Sequence, residues 1–226
     1  LNGRDLTNVD FEKADLSGAN LSSADLENAI LTGAKLITDG TNTVKLMGAT
    51  LTGAKLSKAD LTGADLGLNS AVKTNLVGAD LTGAILKNAD LASAILVNDT
   101  VGSKAANLEK ADLTGADLTA TVFSVTHSST EVVTAVNLTS AILTSANLNA
   151  RDLTNVDFEK ADLSGANLSS ADLENAILTG AKLITDGTTS NNGVTSDTSG
   201  TVNLSGATLT NAKLSKADLT GANLTS

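Results

Sequence analysis

Leu1-Asn2-Gly3-Arg4-Asp5-Leu6-Thr7-Asn8-Val9-Asp10-Phe11-Glu12-Lys13-Ala14-Asp15-Leu16 opens a run in which Leu or Phe stands at every fifth position, and the beat holds through Leu21, Leu26, Leu31 and Leu36. Five residues advance an α-helix by about 500°, which leaves successive leucines about 140° apart and forms no apolar stripe. Strand alternation has a period of two, so one long strand fails as well. Gly-Ala pairs such as Gly18-Ala19, Gly33-Ala34 and Gly63-Ala64 would also weaken helices. A short extended segment closed by a turn, renewed at every beat, fits all of these facts. It points each Leu and the residue two before it inward, and the intervening residue outward.

The beat covers most of the 226 residues. There are 37 centres, 34 Leu and 3 Phe, and 27 of the 36 with a residue two places earlier have Ala there. The core is thus built from Leu and Ala; Pro, Cys, Trp and Tyr are absent. Without cysteine there is neither a disulfide framework nor a thiolate metal site. A net charge of −10 argues against general affinity for nucleic acid or anionic membrane. No apolar run has the length of a membrane-spanning helix. The chain starts at Leu1, already a repeat centre, which points to processing or to a larger polypeptide and is in keeping with export to the cell surface.

Segments such as Ala14-Asp15-Leu16-Ser17-Gly18, Ala19-Asn20-Leu21-Ser22-Ser23 and Ala59-Asp60-Leu61-Thr62-Gly63 carry an A(D/N)LXX motif. In this the chain resembles the pentapeptide-repeat family over most of its length. The resemblance implies an all-β fold, a right-handed quadrilateral parallel β-helix with about 20 residues per coil and coils about 4.8 Å apart. One continuous solenoid over residues 1–226 is expected, with extruded loops near 97–107 and 184–203, where the spacing between centres is 12 and 21 residues. The gaps Leu36–Leu46, Leu66–Leu76 and Phe123–Leu138 are multiples of five and read as degenerate walls within the coils.

Residues 1–41 recur as 148–188 with one difference, Gly3 against Ala150, and the likeness resumes between 43–66 and 201–224. This is an internal duplication. With a seven-residue loop between Leu96 and Leu108, the copies would stand seven coils apart on the same face; with a two-residue bulge they would differ by one face.

Asp and Asn fill most outward positions, including Asp60 and Asp80, which a strict 20-residue period would stack, with Asn20 farther down the same column. A solvated surface is the expected role, because acid–base or metal chemistry needs groups converging in a sheltered site. His127 stands beside Ser128 and Glu131 in a polar segment that supplies no triad geometry. No catalytic, cofactor or metal residues are assigned, and the expectation is a protein that is not an enzyme.

Outward isoleucines Ile30, Ile85, Ile95, Ile142 and Ile177 are candidate lateral contacts. Arg4 and Arg151 take inward positions, with Asp5 and Asp152 as the expected partners. At the ends, Leu1, Leu6, Phe11 and Leu209, Leu214, Leu219, Leu224 form uncapped coils whose stacking would make the chain its own partner, a head-to-tail filament or surface-layer subunit. The family resemblance also implies an alternative, an acidic module that mimics DNA toward a type II topoisomerase, although such relatives dimerise through a C-terminal helix that Ala222-Asn223-Leu224-Thr225-Ser226 does not supply. A third reading is an ice-binding solenoid with Thr32 over Thr52 and Thr62 over Thr82.

Overall fold

The computed structural model describes residues 1–37, 42–67, 72–97, 103–126, 133–184, 202–205 and 207–225. Each five-residue unit makes one parallel bridge, at the residue before the centre, and then one turn. Leu1 O accepts from Arg4 N–H, Phe11 O from Ala14 N–H and Leu16 O from Ala19 N–H, and this closure repeats along the chain. The second turn residue has positive φ throughout, as in Gly18 (66°), Lys13 (57°) and Asn28 (55°). That is the type II geometry, which explains the frequent glycine there and the tolerance for Asn.

The bridges run in four columns. One passes through Asp10, Ile30, Lys55, Asp80, Asn107, Asn137, Asp157, Ile177 and Lys213. A second passes through Asp15, Lys35, Asp60, Ile85, Asp112, Ile142, Asp162, Lys182 and Asp218, and a third through Asn20, Lys45, Asp65, Asp90, Asp117, Asn147, Asn167, Asn203 and Asn223. The fourth joins Asp5, Asp25, Thr50, Asn75, Ile95 and Val122, and resumes at Asp152, Asp172 and Thr208. Each rung donates twice: Leu6 N–H to Asp25 O ahead of it, and Asp25 N–H to Arg4 O behind it. Inside, the Leu centres and their Ala partners form one core, with Phe123 and Phe158 the largest fully buried side chains.

Bridged residues are 20 apart where the beat is unbroken, and 25, 27, 30 or 36 apart across the interruptions. This corrects the reading of the multiple-of-five gaps as walls. Asn20 pairs with Lys45 and Thr50 with Asn75, so the gaps after Leu36 and Leu66 each add five residues to a coil rather than forming one of its sides. After Phe123 the addition includes an antiparallel hairpin, β1 (Ser124–Thr126) and β2 (Val133–Ala135), paired Ser124 to Ala135. Spacing alone could not separate these cases, since five added residues leave the beat in phase.

The duplicated blocks share faces, but six coils apart rather than seven. Asp10 and Asp157 lie in one column with five rungs between them, which at the usual strand spacing is about 29 Å.

Candidate functional surface

The outward Asp and Asn residues do structural work that the sequence reading missed. At every described Asp or Asn before a centre, Oδ1 accepts the N–H two residues on: Thr7 to Asp5 at 3.0 Å, Thr62 to Asp60 at 3.1 Å, Ser164 to Asp162 at 3.1 Å, Thr225 to Asn223 at 3.1 Å. This Asx bond satisfies a turn N–H that faces outward, away from the ladder. A Ser or Thr at the acceptor-plus-two position often adds its hydroxyl, as Thr114 does to Asp112 at 2.6 Å. The motif's Asp-Leu-Ser/Thr spelling was the available signal.

These bonds tune the carboxyls. At Asp5 the Thr7 N–H and hydroxyl lower the pKa, and at Asp15 the Ser17 hydroxyl and N–H do the same. At Asp162 burial acts upward but is outweighed by the Ser164 hydroxyl, the Ser164 N–H and Lys182, and the net shift is downward. Asp65 goes the other way: burial pushes it up by more than the Gly67 N–H pulls it down, and the smaller effects of Asp90, next in its column, and Lys45 act upward and downward.

The stacked metal column dissolves. Asp60 pairs with Ile85, Asp80 with Lys55 and Asn107, and Asn20 belongs to a third column, because the added residues shift the register. The threonine ladder fails for the same reason. Thr52 O accepts from Asn28 N–H, whereas Thr32 O accepts from Lys13 N–H on the next wall; Thr62 lies along Lys87 rather than Thr82. Among the described residues no group of three or more His, Asp and Glu side chains is placed to hold a metal ion. His127 lies outside the described residues.

The candidate lateral contacts divide. Ile85 and Ile142 are exposed, at 37% and 39%, and share a column with Asp112 between them. Ile30 and Ile177 share another column, Ile95 sits in a third, and all three are half-buried. Arg151 does not pair with Asp152 among the described residues; its Nε donates to the Asn149 carbonyl at 3.0 Å, so the guanidinium leaves the core around its own turn. Arg4, in the first coil, is exposed. At the edges Leu1 is 52% and Leu224 58% exposed, while Leu6, Phe11, Leu209, Leu214 and Leu219 pack against the core from partly buried positions.

The family match and the likeness to one solved structure agree with this architecture. The family model described as pentapeptide repeats matches residues 1–37, 45–67, 71–98, 104–124, 141–180 and 202–226, in 8 copies. No curated protein matches the sequence. Among solved structures, HetL, a pentapeptide repeat protein involved in heterocyst differentiation regulation from the cyanobacterium Nostoc sp. strain PCC 7120, is 30% identical over 96% of this chain and 87% of its own, with a TM-score of 0.51. QnrB1, a plasmid-mediated fluoroquinolone resistance protein, is 16% identical over 98% of this chain and 89% of its own, with a TM-score of 0.38. Rfr23 from the cyanobacterium Cyanothece 51142 is 24% identical over 80% of this chain and 90% of its own, with a TM-score of 0.26. Repeat phase, bridge columns and family match converge on one assignment: the chain belongs to the pentapeptide-repeat family, whose fold is the right-handed β-helix.

Proposed function

We propose that the chain is a non-enzymatic structural solenoid, a quadrilateral rod that assembles head to tail. The observation that carries this is the chemistry of a coil edge. By the pattern inside the rod, an added coil would accept from the N–H groups of Leu209, Leu214, Leu219 and Leu224 and donate to the carbonyls of Ala207, Ala212, Ala217 and Ala222. The first coil offers the matching set at Asp5, Asp10, Asp15 and Asn20, whose counterparts in later coils make those bonds. Exposed Leu1 and Leu224 add apolar surface to the two edges. Edges of this kind are templates for further pairing, and a heterologous contact that does not close propagates. The outward carboxylates hold their own turns, which favours a scaffold over acid–base chemistry.

Sedimentation velocity of the 226-residue chain tests the proposal. Mass should rise with concentration, and Leu1→Lys with Leu224→Lys should reduce it to the monomer. A monomer at hundreds of micromolar with intact coils would sink the idea.

A second reading, an acidic rod that binds a basic protein surface, draws on the net charge of −10. Lys35, Lys55, Lys182 and Lys213 interrupt the acidic columns, so the wall is mixed rather than DNA-like. A gyrase supercoiling assay showing neither inhibition nor protection would remove the topoisomerase form of this reading.

A further inference from the structure

The column through Asp15 and Asp218 belongs to a wall with a second, longer period. In rungs one, three, five, seven and nine the chain spells the same words: Lys13-Ala14-Asp15-Leu16-Ser17-Gly18, Lys58-Ala59-Asp60-Leu61-Thr62-Gly63, Lys110-Ala111-Asp112-Leu113-Thr114-Gly115, Lys160-Ala161-Asp162-Leu163-Ser164-Gly165 and Lys216-Ala217-Asp218-Leu219-Thr220-Gly221. Their sequence separations are unequal, 45, 52, 50 and 56 residues from one Asp to the next, yet the insertions bring all five to one wall, every second rung. In each, the Ser or Thr hydroxyl binds the Asp carboxylate.

The rungs between are of a different kind. At the Lys corner they carry Gly33, Gly83, Ser140 and Gly180, and outward they carry Lys35 with Ile37, Ile85 with Lys87, Ile142 with Thr144, and Lys182 with Ile184. A Cβ at Gly33 would lie 3.5 Å from Lys13 Cγ, and one at Gly180 would lie 3.6 Å from Lys160 Cγ, so each lysine stem leans over the small residue of the next rung. The wall is therefore corrugated with a repeat of two strand spacings, about 9.6 Å. Rows with an outward Asp and hydroxyl and a corner Lys alternate with rows whose outward residues are Lys, Ile or Thr, and within one rod Lys35, Lys87 and Lys182 reach Asp15, Asp112 and Asp162 of neighbouring rows.

We propose that this wall is a side-by-side interface with a second copy of the chain, the two rods running antiparallel and offset by an odd number of rungs. Charge complementarity selects the occupant, because only a surface with the same two-rung period can set every Asp row against a Lys or Ile row along the whole wall. The antiparallel arrangement is the one that closes as a dimer: a two-fold axis parallel to the rods would put equal rungs together, Asp on Asp. With the axis between rungs, either Lys35 meets Asp162 of the second copy and Ile85 meets Asp112, or Lys35 meets Asp218 and Ile142 meets Asp112, and each corner lysine meets a corner Gly or Ser. In either register eight rungs overlap, and eight rungs by one wall give about 400 Å² per rod, small for a specific complex, so the pair is weak and reversible.

The chain has no cysteine, so single introduced thiols report cleanly. In the Leu1→Lys/Leu224→Lys background, which removes the proposed end contacts, Lys35→Cys is mixed at high concentration with Asp162→Cys or Asp218→Cys and mildly oxidised. Disulfide-linked heterodimer is expected with at least one of the two, and Lys35→Cys alone should give at least five-fold less homodimer, because its two copies would lie several rungs apart. Adding Lys35→Glu, Lys87→Glu and Lys182→Glu to rods carrying thiols at 112 and at 142, or at 85 and at 112, should lower their cross-linking by a similar factor, with far-UV circular dichroism unchanged. Equal cross-linking in all mixtures, homodimer from Lys35→Cys alone, or no effect of the glutamates would overturn the proposal while leaving end-to-end assembly untouched.

Discussion

The outward carboxylates show how a single side chain is both surface and scaffold. Asp162 accepts the Ser164 N–H and hydroxyl and lies 3.3 Å from Lys182 Nζ. Asp162→Ala should therefore lower stability by about 1 kcal/mol in urea unfolding, and Asp162→Asn by less, because the amide oxygen keeps the turn bond. The carboxyl's folded pKa is depressed, so its contribution is present at neutral pH and is lost as pH falls through that depressed value, below the ordinary carboxylate range. Asp65 has the opposite sign. Its folded pKa is raised, so the ionised form carries a cost at neutral pH that disappears as pH falls toward 3.8. Asp65→Asn should raise the melting temperature at pH 7 and leave it unchanged near pH 3. Ala150 holds φ at 53° where its duplicate, Gly3, has 61°. Ala150→Gly should stabilise by about 0.5–1 kcal/mol, since the left-handed region costs an alanine about 1–2 kcal/mol and glycine returns part of that as chain entropy.

At the scale of the wall and its turn, the sequence was largely legible because each unit is local. Leu and Ala two apart set the inward pair, and the following two residues set the turn. What could not be read was the count of walls between columns. Asn20 to Lys45 and Asp5 to Asp25 look alike in phase, and only the ladder shows that the first spans an addition. The stacked pairs Asp60–Asp80 and Thr62–Thr82 failed at that point, since both presumed a strict 20-residue period. The capping bonds were missed for another reason: a polar outward residue satisfies the solvated-surface expectation whether or not it binds its own turn. A five-residue addition leaves the columns beyond it in register. Removing residues 141–145 should instead bring Asn147 over Asp112. Cysteines at 112 and 147 would then form a disulfide in the deletion variant alone, because bridged neighbours lie about 5 Å apart, within disulfide reach, while adjacent walls do not.

Across the whole rod, stability is the sum of coil-on-coil contacts rather than the property of one centre. Unfolding should begin at the edges, where Leu6, Phe11, Leu209 and Leu214 are only partly buried, while Leu81 to Leu173 are fully enclosed. Hydrogen exchange would show protection rising from both terminal coils toward the middle, and uniform exchange would count against this picture. The additions between walls also govern what change the protein tolerates over generations. A loop inserted at a corner is silent to every face beyond it, whereas one lost wall turns all that follows by a quarter revolution. The four columns thus behave like a reading frame, and the duplicated block returned in frame.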